Sequence, residues 1–127
     1  MDLRIHDTAD YSVIKFTADT PVPKEFLHIN DFKSITYTAQ ECSLVVPSGT
    51  IDTRQAMAVD EGWMIIQVLG ELDFSLVGIL TQLATPLAEN EVSIFALSTY
   101  NTDYLLIKNK DKEKAVDVLQ QAGHVFA

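Results

Sequence analysis

Two short stretches of this 127-residue chain carry residues whose types and spacing suit chemistry. The first is the turn Leu72-Asp73-Phe74-Ser75-Leu76-Val77-Gly78, which follows the apolar run Trp63–Leu69 and opens a helical pattern. A strand that ends in a turn and starts a helix leaves backbone N–H groups without intrahelical acceptors. These donors, with the helix dipole, suit a carboxylate or another anion. Gly78 falls in the expected first turn, where a missing side chain admits close approach by a ligand or another backbone. The same residues have a purely local reading, in which Asp73 or Ser75 caps the helix and Gly78 eases packing. The second stretch is Ser98-Thr99-Tyr100-Asn101-Thr102-Asp103, set between two apolar runs as the connection of a hairpin. Ser98, Thr99, Thr102 and Asp103 offer hydroxyls and a carboxylate to a zwitterion. Asp103 directly precedes Tyr104–Ile107, so its carboxylate is expected to be partly buried and to need a partner. A ligand ammonium or guanidinium would serve. A backbone donor inside the hairpin would serve equally, because Asp and Asn favour turns.

Other reactive residue types are dispersed. His6, His28 and His124 have no metal-ligand spacing, and the single Cys42 adds none and reads as a small core residue of a strand. Nothing suggests a Ser-His-Asp or Cys-His arrangement. Pro47-Ser48-Gly49-Thr50 lacks the Gly-x-x-x-x-Gly-Lys frame of a phosphate loop. Arg4 and Arg54 sit in polar segments, Lys108, Lys110, Lys112 and Lys114 alternate with acids as a solvated face, and Trp63 reads as core. No catalytic residue, metal or cofactor is expected.

Composition narrows the classes. Hydrophobic residues make up 47% and charged residues 21%, the balance of a globular fold. A formal net charge of −9 argues against nucleic acid and against an anionic membrane surface, both of which need clustered Lys and Arg. The apolar runs are strand-sized, the N-terminus has no signal-peptide core, and one cysteine excludes an internal disulfide. The expected compartment is the cytoplasm.

The elements that must position the two stretches follow from periodicity. Tyr11–Phe16 alternates as a strand; Pro21 and Pro23 leave room for a short helical turn at Lys24–His28. Phe32–Thr38 and Cys42–Val46 read as strands of a hairpin, and Thr50–Glu61 as a linker. Trp63–Leu69 is expected to be a strand buried on both faces or nearly so, and Val92–Leu97 a further strand. A helix is expected from Ser75, with Leu76, Ile79, Leu80, Leu83 and Leu87 on one face and Pro86 kinking it or opening a new turn. Tyr104–Ile107 is a strand. A last helix starts at Asn109 or Asp111, ends at Gly123, and leads to a short strand at His124–Phe126. One helix behind a mostly antiparallel sheet is the α+β solution.

The pattern of ELDFSLVGIL followed by PLAENEVSIFALSTYNTDYLLI resembles the ACT domain, and more narrowly the tandem ACT proteins that include the CASTOR arginine sensors and small bacterial relatives. The resemblance implies two ferredoxin-like ACT units of βαββαβ type with helices on one sheet face, at 1–58 and 59–127, and Trp63–Leu69 as a central strand beside Val92–Leu97. It implies a regulatory protein without catalysis that senses an amino acid or similar small zwitterion. Asp73, Phe74, Ser75, Leu76, Val77 and Gly78 would receive the ligand's backbone, and Ser98, Thr99, Thr102 and Asp103 would line the site. A homodimer and a regulated protein partner are the expected assemblies. The alternative is a structural or oligomerisation module of the same fold without ligand.

Overall fold

The computed structural model describes residues 1–70 and 77–127. They form β1 (Asp2–Phe16), a 3-10 turn (Lys24–His28), β2 (Ser34–Tyr37), β3 (Cys42–Pro47), β4 (Ala58–Val68), α1 (Ile79–Glu89), β5 (Phe95–Ser98), β6 (Asp103–Lys108), a second 3-10 turn (Asn109–Asp111), α2 (Lys112–Gln121) and β7 (Val125–Phe126). By contact they divide into two compact units, Met1–Thr8 with Trp63–Ala127, and Ala9–Gly62. The division at 58/59 read from sequence puts residues 1–8 with the N-terminal unit, whereas contact groups them with the C-terminal residues.

Within the first unit the strand order is β7-β1-β4-β6-β5, antiparallel at β4–β6 and β5–β6 and parallel at β7–β1. Alternate residues of three strands, Leu3, Met64, Ile66, Val68, Leu105 and Ile107, form one apolar sheet face. Leu83 and Leu87 of α1 and Ala115 and Leu119 of α2 close on it. Burying a side chain of this size stabilises by about 1.5–3 kcal/mol, so this layer dominates the energetics of the unit. The unit is an α+β fold with a mixed sheet and two helices. Trp63, Met64, Ile65, Ile66 and Val68 are all buried, as an apolar run without alternation requires. The neighbour of β4 is β6 rather than β5: the ladder runs from Trp63↔Lys108 to Gln67↔Tyr104, and the crossover through α1 carries β5 one place further to the edge.

Helix α1 starts at Ile79, later than the expected Ser75, and Ser75 and Leu76 lie outside the described residues. Pro86 sits inside α1 without breaking it. Proline has no N–H to give Gln82 four residues back, and the ring Nε2 of buried His124 lies 3.3 Å from that carbonyl. A carbonyl only accepts, so Nε2 is the donor. Gly123 ends α2 as expected: its φ is +97°, His124 N–H donates to Leu119 O at 3.0 Å, and Gly123 N–H donates to Gln120 O at 3.0 Å. Glu91 closes α1 the same way at φ +60°, with Val92 N–H on Leu87 O at 2.9 Å and Glu91 N–H on Ala88 O at 3.1 Å.

The second unit has the order β2-β3-β1-β4, with β3 antiparallel to both neighbours β1 and β2. Its core is Ile14 and Phe16 from β1, Cys42, Leu44 and Val46 from β3, Phe26 and Ile29 from the turn region, and Ile51. The hairpin turn is closed by Thr38, whose N–H donates to Glu41 O at 2.9 Å and whose hydroxyl accepts from Gln40 N–H and Glu41 N–H, each at 3.1 Å. Two expectations need correction. Ala58–Glu61 is strand rather than linker, anchored where Met57 N–H meets Lys15 O at 2.8 Å; its exposed acids mark an edge and hide the strand pattern. Strand β1 begins at Asp2 rather than Tyr11, because Asp2 and Leu3 pair with Val125 and Phe126 and Asp2 O accepts from Leu69 N–H at 2.9 Å.

Candidate functional site

Ser98 and Asp103 are the last paired residues of the β5–β6 ladder, and the loop between them is the polar stretch singled out by its composition. Ser98 Oγ donates to Asp103 Oδ1 at 2.6 Å, so part of the carboxylate is already satisfied. Asp103 is half-buried, as its position before an apolar run predicts. Of the two threonines, Thr102 is buried and Thr99 is exposed. Thr99 N–H donates to Thr102 O at 2.9 Å, and Thr99 Oγ1 meets the same carbonyl at 3.2 Å. Thr102 is buried and its hydroxyl donates to Val68 O at 2.7 Å. That bond ties the hairpin to the C-terminal end of β4, from which the chain leaves towards residues 71–76. Tyr100 and Asn101 are exposed at the tip.

Of the other predicted stretch, Val77 and Gly78 are described, while Asp73, Phe74, Ser75 and Leu76 lie outside the described residues. Gly78 is the N-cap of α1 with φ +76° and ψ +6°, the left-handed region. A Cβ built on it meets nothing within 4 Å. Backbone conformation, then, rather than crowding by a neighbour, is what calls for glycine here. Gly78 O accepts from Gln82 N–H at 3.0 Å, which starts the helical ladder, and no side-chain cap covers the helix start among the described residues. The N–H groups of Ile79, Leu80 and Thr81 have no acceptor within the helix. Val77 beside them is 87% exposed.

The residues read as bland behave so. Cys42 is buried, and Trp63 packs edge-on to Phe95 at 6.2 Å with Lys108 Nζ 4.7 Å from its ring centre. Among the described residues no group of His, Cys, Asp and Glu converges as a metal site. A polar set that spacing did not reveal lies one residue from Asp103. His6 Nε2 meets Gln67 Oε1 at 2.7 Å, and the His6 ring stands edge-on to Tyr104 at 6.2 Å. Gln67 was visible as the one polar residue of an apolar strand; its partner, 61 positions away, was not.

A family model described as ACT domain matches residues 58–121. The chain is 28% identical over 108 residues to a mouse (Mus musculus) protein named Cytosolic arginine sensor for mTORC1 subunit 1, covering 75% of this chain and 31% of that protein. It therefore spans about a third of the length of this curated relative. Among solved structures, protein Atu0741 from Agobacterium tumefaciens superposes with a TM-score of 0.88 at 31% identity, covering 99% of this chain and 91% of that one. The structure described as aspartokinase alpha and beta subunits superposes with a TM-score of 0.66 at 20% identity, over 96% of this chain and 97% of that one, a likeness of fold alone.

Proposed function

The chain belongs to the ACT domain family, and on that premise we propose that it is a non-catalytic regulatory protein that binds an amino acid at the end of β4. The observation that carries this reading is the bond from Thr102 to Val68, which fixes the polar hairpin at the end of the strand that leads to α1. The start of α1, without a side-chain cap among the described residues, offers N–H donors, and the Ser98–Asp103 hairpin is tied to the end of β4 through Thr102 and Val68. In this reading the ligand carboxylate lies on the amide groups that open α1, with Asp73, Phe74, Ser75, Leu76, Val77 and Gly78 around it. The ammonium meets Asp103 and the hairpin groups Ser98, Thr99 and Thr102. Arginine is the first ligand to try, because the curated relative is named for sensing it. We read the strand order β2-β3-β1-β4 of residues 9–62 as a second, reduced ACT-like unit.

Cytoplasmic residence, a homodimer and a regulated protein partner belong to the same proposal; among the described residues no helix is long and apolar enough to cross a membrane. A ligand-free structural module is the second reading. It is favoured by the bonds that already occupy the Ser98, Thr99 and Thr102 hydroxyls. A thermal-shift screen of the common amino acids separates the two. A ligand at about 100 times its Kd adds about 2.7 kcal/mol and raises Tm visibly, whereas no shift with any of them favours the structural module.

A further inference from the structure

His124 follows Gly123 at the end of α2 and precedes β7, and only 7% of it is exposed. Both ring nitrogens are bonded inside the unit formed by Met1–Thr8 and Trp63–Ala127. Nε2 donates to Gln82 O at 3.3 Å, the carbonyl that Pro86 leaves without its helical donor. The proton of the neutral ring is therefore on Nε2, and Nδ1 carries a lone pair. That lone pair accepts from the Met1 nitrogen at 3.1 Å. An ammonium or an amide at this place has only hydrogens to offer, so the arrangement fits the neutral imidazole alone.

The ring joins three distant parts of the chain: the first strand, α1 and the turn into β7. Val125 N–H donates to Met1 O at 2.9 Å and Ala127 N–H to Leu3 O at 2.7 Å, so His124 sits at the head of the parallel β7–β1 pair. Its own N–H is on Leu119 O at 3.0 Å. The charged side chains of the elements packed around it are exposed: Asp2 and Arg4 on β1, Glu89 on α1, and Lys112, Glu113, Lys114 and Asp117 on α2, while β7 has none. Among the described residues no carboxylate lies within 4 Å of the ring nitrogens. A second proton can go only to Nδ1. There it faces the Met1 hydrogens and brings a positive charge to a buried place without a counter-charge.

We propose that His124 is an acid-sensitive clasp. Neutral, it fastens the first strand and β7 to α1; protonated, it releases the head of the β7–β1 pair. Imidazole is the side chain that ordinarily changes charge between about pH 5 and 8, so acidification within the physiological range reaches it. Opening at Met1–Leu3 loosens a strand whose Leu3 belongs to the core of this unit. The clasp is separate from the end of β4 and does not depend on amino-acid binding.

Hydrogen exchange of the whole 15N,13C-labelled chain between pH 7.5 and 5 tests it, with the three histidine rings followed in the same samples. After correction for the intrinsic effect of pH, protection of the Val125 and Ala127 amides is expected to fall about tenfold, the worth of one hydrogen bond. The fall is expected to track protonation of the His124 ring, while amides in the middle of β4 and β6 keep their protection. H124Q retains a side-chain N–H for Gln82 O but takes up no proton, so its Val125 and Ala127 protection is expected to be constant over this range. H6Q and H28Q are expected to respond as the unmodified chain does. Constant protection in the unmodified chain, a fall that tracks His6 or His28 instead, or an equal fall in H124Q would overturn the proposal.

Discussion

Asp103 shows how a single side chain holds two readings at once. Ser98 donates to Oδ1 at 2.6 Å, so the carboxylate closes the hairpin, while its charge remains for a ligand cation in the proposed site. Asp103→Asn retains an acceptor for Ser98 and removes the charge. Amino-acid affinity is expected to fall about ten- to a hundredfold, at 1.4 kcal/mol per decade, with little change in unfolding free energy. Calorimetric titration and urea denaturation of the same sample check both halves, and unchanged affinity removes Asp103 from the site. The position of this carboxylate was legible, because a charged residue before an apolar run has few places to go. Gly78 was legible as a glycine but not for its reason, since spacing does not distinguish a close approach from a left-handed φ. With open space around a built Cβ, Gly78→Ala is expected to cost about 1–2 kcal/mol through the backbone alone, and Gly78→Asn less, because Asn tolerates that region. Equal losses for Ala and Asn in urea titrations would point back to packing.

At the scale of elements, local patterns gave the helices and the second-half strands, while features made by distant partners stayed hidden. The end of α2 was readable because its left-handed residue is glycine; the identical closure of α1 was not, because the residue there is Glu91. Glu91→Gly is expected to stabilise by about 1 kcal/mol, the cost of a non-glycine residue in the left-handed region, visible as a higher urea midpoint at constant slope. Pro86 argued for a kink in a sequence that could not show His124 standing in for the missing donor. His124→Ala is expected to cost about 1 kcal/mol for the lost bond to Gln82 O, beyond what the lost packing costs. In a Pro86→Ala background the residue-86 N–H takes that carbonyl, so this part of the cost disappears. A double-mutant cycle isolates it, and additive effects would mean that the histidine only packs.

For the whole molecule, what periodicity could not supply is which strand lies beside which. No strand is read from residues 1–10, yet Leu3 is fully buried in the core with Met64, Leu83 and Leu119. Its strand supplies Asp2 O to Leu69 N–H at 2.9 Å and Leu3 O to Ala127 N–H at 2.7 Å. A boundary at 58/59 therefore strips the C-terminal residues of a strand with a core leucine on it. Losing a buried leucine costs about 2–5 kcal/mol, and the backbone acceptors of Met1, Asp2 and Leu3 go with it. That is comparable to the whole stability of a domain this small, about 0.05–0.15 kcal/mol per residue. A 59–127 fragment is thus expected to be largely unfolded, with poorly dispersed amide spectra and no cooperative melt. A permuted chain that runs from 63 to 127, through a Gly/Ser linker of about ten residues, into 1–8 is expected to fold and melt cooperatively, since a flexible linker of that length spans the short return between parallel β7 and β1. The same linker without residues 1–8 controls for length. A 59–127 fragment with dispersed amides and a melt like that of the whole chain would restore the contiguous boundary and reduce the first strand to an accessory.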